Sequence, residues 1–321
     1  MSTPLNTVIY VDNLTSPYPS AQQQEQYATW AADLSGSGFT TMILYNLHID
    51  TYGNFRYTNS QFPLIADGKL QEGYEYLPEL LTSITSNGTI NQVMFCLGGW
   101  GSEGDYVHCA QLINQYGTGL DNPIVRNFVA LQGIGVSGID FDLEADAGVA
   151  TSHGYPYYLP VVVQLTNMLY NLHLTVTYCP YTLPQFWIDC LSANYAQQQI
   201  NNVQPVAWMN LQCYDGGVSN THQEWVGYLT NNASLGPLGI SDPAAFIVPG
   251  FGVPGICPQG TGGLQVTFSD PSLMESGIGG GFVFTYGGIQ KNLQNGACAP
   301  TNTTADYASA IVQGIKALPK S

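Results

Sequence analysis

Apolar positions along the chain fall into two alternating kinds of segment. Thr7-Val8-Ile9-Tyr10-Val11 is a β-branched run halted by Asp12-Asn13, which predicts a strand. Residues 20–34, polar and Ala-containing, predict a helix. The beat repeats with a strand over 39–45, a helix over 71–86 whose apolar residues stand at 77, 80, 81 and 84, a strand over 91–97 and a helix over 121–132. Further on, helices are predicted over 157–172, 185–199, 223–231 and 304–318, and strands over 173–180, 205–217, 245–250 and 281–286. Residues 46–69 form a long polar stretch of the kind that serves as a functional loop after a strand. No linker or internal repeat interrupts the alternation, which fits either a doubly wound sheet or a closed barrel.

One strand carries chemistry. In Gly138-Ile139-Asp140-Phe141-Asp142-Leu143-Glu144, residues two apart share a face, so three carboxylates project to one side and Ile139, Phe141 and Leu143 to the other. Burial of such a row is opposed by desolvation and repulsion unless the acids share protons or hydrogen bonds, and this marks a candidate site. By pattern alone a solvated strand face or a row of metal ligands is also open. About 40 residues earlier, the apolar run 91–97 leads into Gly98-Gly99, where backbone turns tightly or approaches something closely. Glycine strand, helix, acidic strand is the order of consecutive strands in a barrel, and a doubly wound sheet accounts for neither feature.

Ser137-Gly138-Ile139-Asp140-Phe141-Asp142-Leu143-Glu144 resembles the Asp-Gly-x-Asp-x-Asp-x-Glu signature of the family 18 glycoside hydrolases, the chitinases, with Ser137 in place of the outermost Asp. Cys96-Leu97-Gly98-Gly99 resembles the family's third-strand Ser-x-Gly-Gly element, and Gln212-Cys213-Tyr214-Asp215 its sixth-strand motif. The resemblance implies an α/β fold of the (β/α)8 TIM-barrel class, a single domain over residues 1–321. Only about 28 residues separate Gly250 from Gly279, too few for the extra α+β domain of deep-cleft members, so a shallow, open cleft is expected.

The resemblance also implies a function: a retaining, endo-acting hydrolase of β-1,4 linkages next to N-acetylglucosamine, working through an oxazolinium intermediate made by the substrate's own acetamido group. Glu144 is the implied general acid and later base. Asp142 would orient the acetamido group, Asp140 would share a proton behind it, and Tyr214 would hydrogen-bond the acetamide oxygen. Substrate contacts are implied at Tyr10, Gly98, Gly99, Trp100, Gln212 and Asp215. The family's eighth strand normally ends in a Trp that floors the cleaved subsite. Here Phe284-Thr285-Tyr286 stands there, an ungapped match from Gly280-Gly281 puts Thr285 in that place, and Tyr286, the nearest aromatic, becomes the expected contact. An endo-β-N-acetylglucosaminidase acting on N-glycans is the alternative, since such relatives often carry Tyr there. A non-catalytic lectin or inhibitor of the same fold usually lacks one of the acids that this chain keeps at 142 and 144. Of Trp100, Tyr106, Tyr181, Trp187 and Trp225 in candidate loops, about two are expected near a sugar and the rest in ordinary packing.

Composition narrows the partners. Six Lys and Arg against 22 Asp and Glu give a formal charge of −16, which excludes nucleic acid and anionic membrane and suits a neutral or cationic ligand such as chitin or another N-acetylglucosamine oligosaccharide. Seven cysteines show no C-x-x-C pair, so neither metal nor cofactor is expected. Cys257 with Cys298 and Cys179 with Cys190 are candidate disulfides, whereas Cys96 and Cys213 read as buried thiols. Met1-Ser2-Thr3-Pro4 leads into a strand rather than a basic and then apolar leader, leaving a cytoplasmic protein or one whose leader has been removed. The resemblance favours a secreted monomer.

Overall fold

The computed structural model describes residues 5–144, 154–198, 203–231 and 237–319. Eight parallel strands form its centre: β1 (Asn6–Asp12), β2 (Thr41–Ile49), β3 (Gln92–Gly98), β4 (Gly138–Asp142), β5 (Thr175–Tyr178), β6 (Val206–Gln212), β7 (Ile247–Gly252) and β8 (Gly280–Phe284). Neighbours in sequence are neighbours in the sheet, and β1 pairs with both β2 and β8, which closes the barrel. The long segment after β2 is not a plain loop. It carries the short strands Phe55–Tyr57, Ile65–Ala66 and Lys69–Leu70, which extend the end of β2 as antiparallel pairs.

Strand alternation divides the core in two. Val8, Tyr10, Ile43, Met94, Cys96, Cys179, Trp208, Val248 and Phe282 fill the lumen. The intervening residues, among them Ile9, Leu44, Phe95, Ile139, Phe141, Val176 and Leu211, pack outward under the helices. Lumen filling requires one bare position opposite Phe282: a Cβ on Gly250 would overlap that ring.

Helix ends follow their local chemistry. The first helix, Ala21–Ser35, opens with a reciprocal capping box between Ser20 and Gln23, and the last, Thr304–Ala317, with one between Thr303 and Asp306. The helix expected from residue 71 begins only at Leu77. Among the described residues, two long helices lie outside the predicted alternation, besides the short Pro243–Phe246 and Leu264–Phe268. Glu103–Tyr116 follows β3, and its buried Tyr106, Cys109, Ala110 and Ile113 do have helical spacing, masked by the polar residues between them. Tyr286–Gln294 follows β8, which ends at Phe284 rather than at residue 286; Gly287 and Gly288 obscure its first turn.

Cys257 and Cys298 form a disulfide, but Cys179 and Cys190 are free thiols. The second expectation fails because the two lie on opposite sides of the barrel wall, Cys179 in the lumen and Cys190 in the outer core. No described helix is long and apolar enough to cross a membrane.

Candidate active site

The acid row projects into the lumen toward the ends of the strands where the loops leave. Asp140 and Asp142 are buried, which removes the solvated-face alternative, while Glu144, just beyond β4, is half-buried at the cleft. The cleft, about 360 Å³, is lined by Asp142, Glu144, Gln212 and Tyr214 with the aromatic walls Tyr45, Trp100, Tyr181 and Phe284.

Asp140 lies deepest and is the best satisfied. Its Oδ2 accepts from the Tyr10 hydroxyl (2.7 Å), and its Oδ1 from Thr177 Oγ1 (2.6 Å) and Asn210 Nδ2 (3.0 Å). Asn210 is turned the right way by Trp208, whose Nε1 donates to Asn210 Oδ1 (2.9 Å). Burial raises the Asp140 carboxyl above its ordinary range, opposed by these donors.

Next along the lumenal face, Asp142 accepts from Gln212 Nε2 at 3.0 Å and faces the Cys96 thiol at 3.8 Å. Burial, then the charges of Glu144 and Asp140, push its carboxyl well up, and its hydrogen bond with Glu144 adds to the rise. Glu144 is also raised, by burial first; hydrogen bonds from Gln212 (3.4 Å) and Asp142 work against this, and Asp215 and Glu103 add repulsion. Two adjacent carboxyls, both raised above their ordinary range by burial, thus stand at the floor of an open cleft, an arrangement suited to general acid chemistry.

The backbone at the end of β3 fixes this row. Gly99 N–H donates to the Asp142 carbonyl at 2.7 Å, and a Cβ on Gly98, whose φ is +107°, would collide with that same carbonyl oxygen. Gly98 and Gly99 therefore hold the acid strand and do not line the cleft.

Tyr214 leaves the end of β6 half-buried, its ring stacked on Phe284 at 5.3 Å between centroids. Asp215 is exposed at the rim beside it. Trp100 is 67% exposed and meets Tyr181 edge to face at 6.4 Å across the cleft. These two are the loop aromatics of the five that reach the cleft; Tyr106, Trp187 and Trp225 are buried in the outer core.

Besides Gly98 and Gly99, two further expected contacts lie outside the cleft. Tyr286 is only 1% exposed and lies behind the wall, where its hydroxyl donates to Asp33 at 2.9 Å. Phe284, which shares lumen parity with Phe282, lines the cleft instead; matching from Gly280-Gly281 without a gap runs one residue too far. Tyr10 is likewise buried below the cleft and touches Asp140, not the cavity. Sequence reasoning misses Tyr45, Thr177 and Asn210, although the last two lie on the lumenal faces of their strands, where the two-residue period carries them.

No protein-family model matches the sequence. No curated protein sequence matches it either. Solved structures do. A chitinase from the chitin utilization locus of Flavobacterium johnsoniae aligns over 98% of this chain and 94% of its own, at 13% identity and a TM-score of 0.55. A group IV chitinase of Ostrinia furnacalis aligns over 98% and 100%, at 10% identity and a TM-score of 0.54. A chitinase from Chromobacterium violaceum aligns over 97% and 99%, at 12% identity and a TM-score of 0.52. With a closed barrel of eight parallel strands and end-to-end likeness to these enzymes, the chain has the (β/α)8 fold of the family 18 chitinases.

Proposed function

We propose that this protein is a retaining glycoside hydrolase that cleaves β-1,4 linkages next to N-acetylglucosamine, as a chitinase does, with the substrate's acetamido oxygen as nucleophile. The observation that carries the reading is the pairing of Glu144, half-buried in the cleft, with the buried Asp142 beside it, both carboxyls raised by burial above their ordinary range. Glu144 protonates the glycosidic oxygen as the acetamido oxygen attacks the anomeric carbon and the leaving sugar departs. The one proton shared by the Asp142–Glu144 pair passes to Glu144 and leaves with the sugar, so that Asp142, now a carboxylate, accepts from the acetamido N–H and balances the positive oxazolinium ion, with Asp140 behind it sharing the proton load. Tyr214, at the opposite wall, hydrogen-bonds the acetamide oxygen. Glu144, now a carboxylate, takes a proton from water, which adds at the anomeric carbon with retention. Gln212 fixes the Asp142 carboxyl, and Trp100, Tyr181 and Phe284 offer faces for sugar rings. The disulfide suits an oxidising compartment, and action outside the cell as a monomer belongs to this proposal.

The test is incubation with N-acetylglucosamine oligomers, with oligomers carrying glucosamine at the cleaved unit, and with a high-mannose glycoprotein, products being read by mass. Cleavage of the acetylated oligomers alone is expected, together with inhibition by a cyclic thiazoline that resembles the intermediate. Cleavage after glucosamine at a comparable rate would require an enzymic nucleophile and defeat the mechanism. Release of the glycoprotein's glycan, with the oligomers untouched, would transfer the activity to N-glycans.

A further inference from the structure

A second cavity, about 410 Å³, opens between the loop after β1, the start of the first helix and the antiparallel extension of β2, and shares no residue with the cleft. None of its lining residues is charged, in a protein whose formal charge is −16. They are chiefly amides, hydroxyls and aromatic rings. Among the described residues, the side-chain amides of Asn13 and Gln61 on its edge find no hydrogen-bond partner in the protein, so their donors and acceptors are free for a ligand.

An exposed aromatic pair stands at the mouth. Phe62 is 53% exposed and Tyr18 57%, with ring centroids 6.0 Å apart and planes at 82°. Isolated exposed aromatics are ordinary, but two in contact over a polar cavity form a recognition surface. Tyr18 is held rather than loose: its N–H donates to Gly73 O at 3.0 Å, and its ring lies against Gly73, where a Cβ would press on it. Behind, Ser16 Oγ and the Tyr27 hydroxyl are 2.9 Å apart, and Tyr74 donates to Ser60 Oγ at 3.2 Å. Asn13, Tyr18 and Thr58, all at this cavity or its mouth, are three of seven non-glycine residues with positive φ among the described residues. Such strain gathers where loops are shaped for a ligand.

We propose that this cavity is a second saccharide site, binding a neutral hexose or N-acetylhexosamine unit of a glycan with its apolar face on Tyr18 or Phe62 and its hydroxyls on Asn13 and Gln61. An anionic or cationic ligand would find no counter-charge in the lining, and a purely apolar one would leave the free amides unpaired. Binding here is independent of the chemistry of the cleft.

The experiment compares wild type with Tyr18→Ala/Phe62→Ala and, separately, Asn13→Ala/Gln61→Ala, using retention on insoluble chitin and hydrolysis of a soluble N-acetylglucosamine tetramer. Unchanged thermal midpoints verify that both variants fold. Retention should fall about 10-fold in the aromatic variant and in the same direction in the amide variant, while kcat/KM on the soluble tetramer stays within about two-fold. Unchanged retention in both variants overturns the site, as does a peptide that occupies the cavity of a protein showing no saccharide retention. If wild type hydrolyses none of the oligomers but the aromatic variant still loses retention, the second site stands and the proposed reaction falls.

Discussion

The hydroxyl of Tyr10 donates to Asp140 Oδ2 at 2.7 Å, joining the first strand to the fourth across the floor of the barrel. Tyr10→Phe removes this donor and leaves Asp140 with Thr177 and Asn210. Loss of a donor to a carboxylate raises its proton affinity further, so the pH–rate profile should shift upward and stability should fall by about 1 kcal/mol. A chemical-denaturation curve and a pH–rate profile check both. A profile identical to wild type would show that Asp140 is uncoupled from the reaction.

Glu144→Gln keeps the shape of the acid and its contact with Gln212 but has no acidic proton. Turnover should drop at least ~100-fold with oligosaccharide binding within a few-fold. In wild type, activity should decline as pH rises through the raised Glu144 value, because the protonated acid is then lost. A variant retaining more than about a tenth of the wild-type rate would assign the acid elsewhere.

Asp142 supplies a stability prediction of definite sign. Its proton affinity is raised in the folded chain, so the folded state binds more protons than the unfolded one. Stability is therefore fully present below the unfolded value, about 4, and is lost as pH climbs through the raised folded value. Asp142→Asn removes that loss. The variant should be more stable than wild type near neutral pH, by about 1.4 kcal/mol for every tenfold gain in proton affinity that folding imposes on this carboxyl, and the advantage should vanish toward pH of about 4. Thermal midpoints at several pH values check this, and an advantage that grows on acidification would reverse the assignment.

Gly98→Ala should be among the most damaging small substitutions in the chain. The added methyl meets the Asp142 carbonyl oxygen, and the backbone is left-handed there, so a loss of about 3 kcal/mol or more and of activity is expected. Gly101→Ala, also left-handed but with nothing within 4 Å of the new carbon, should cost only about 1 kcal/mol. Denaturation midpoints of the pair separate steric conflict from backbone strain.

Thiol counting tests the cysteine arrangement. Unfolded without reductant, the protein should expose the five thiols of Cys96, Cys109, Cys179, Cys190 and Cys213; all are buried, so the native protein should react slowly. Removing the Cys257–Cys298 bond, which spans 41 residues, should cost about 2–4 kcal/mol. A count of three would restore the Cys179–Cys190 pair.

What could be read in advance followed the two-residue period of the strands. That period put Asp140, Asp142 and Glu144 on one face, and Gln212 with Tyr214 on another, and these meet in the lumen. The same period, applied to the neighbouring strands and not only to the acid row, also finds Thr177, Asn210 and Phe284. The rest lay beyond local pattern. Whether Trp100 or Trp187 faces the cleft is decided by where helices settle, and Trp187 packs on Tyr178 at 5.0 Å in the outer core. The Cys179–Cys190 expectation failed on a distinction that spacing does not carry, namely which side of a wall each residue faces.

The clasp between Gly99 and Asp142 separates two properties of this protein that are often entangled. The backbone at Asp142 is tied by main chain, through an amide of one strand end on a carbonyl of the next. Trp100 and Tyr181, by contrast, are carried on segments between strands and helices, and Phe284 on the last residue of β8. On the proposed function, substitutions at the rim would change substrate preference while the acid row stays registered. In the hydrolase proposed above, selectivity would be adjustable at the rim and the position of the acid row would not.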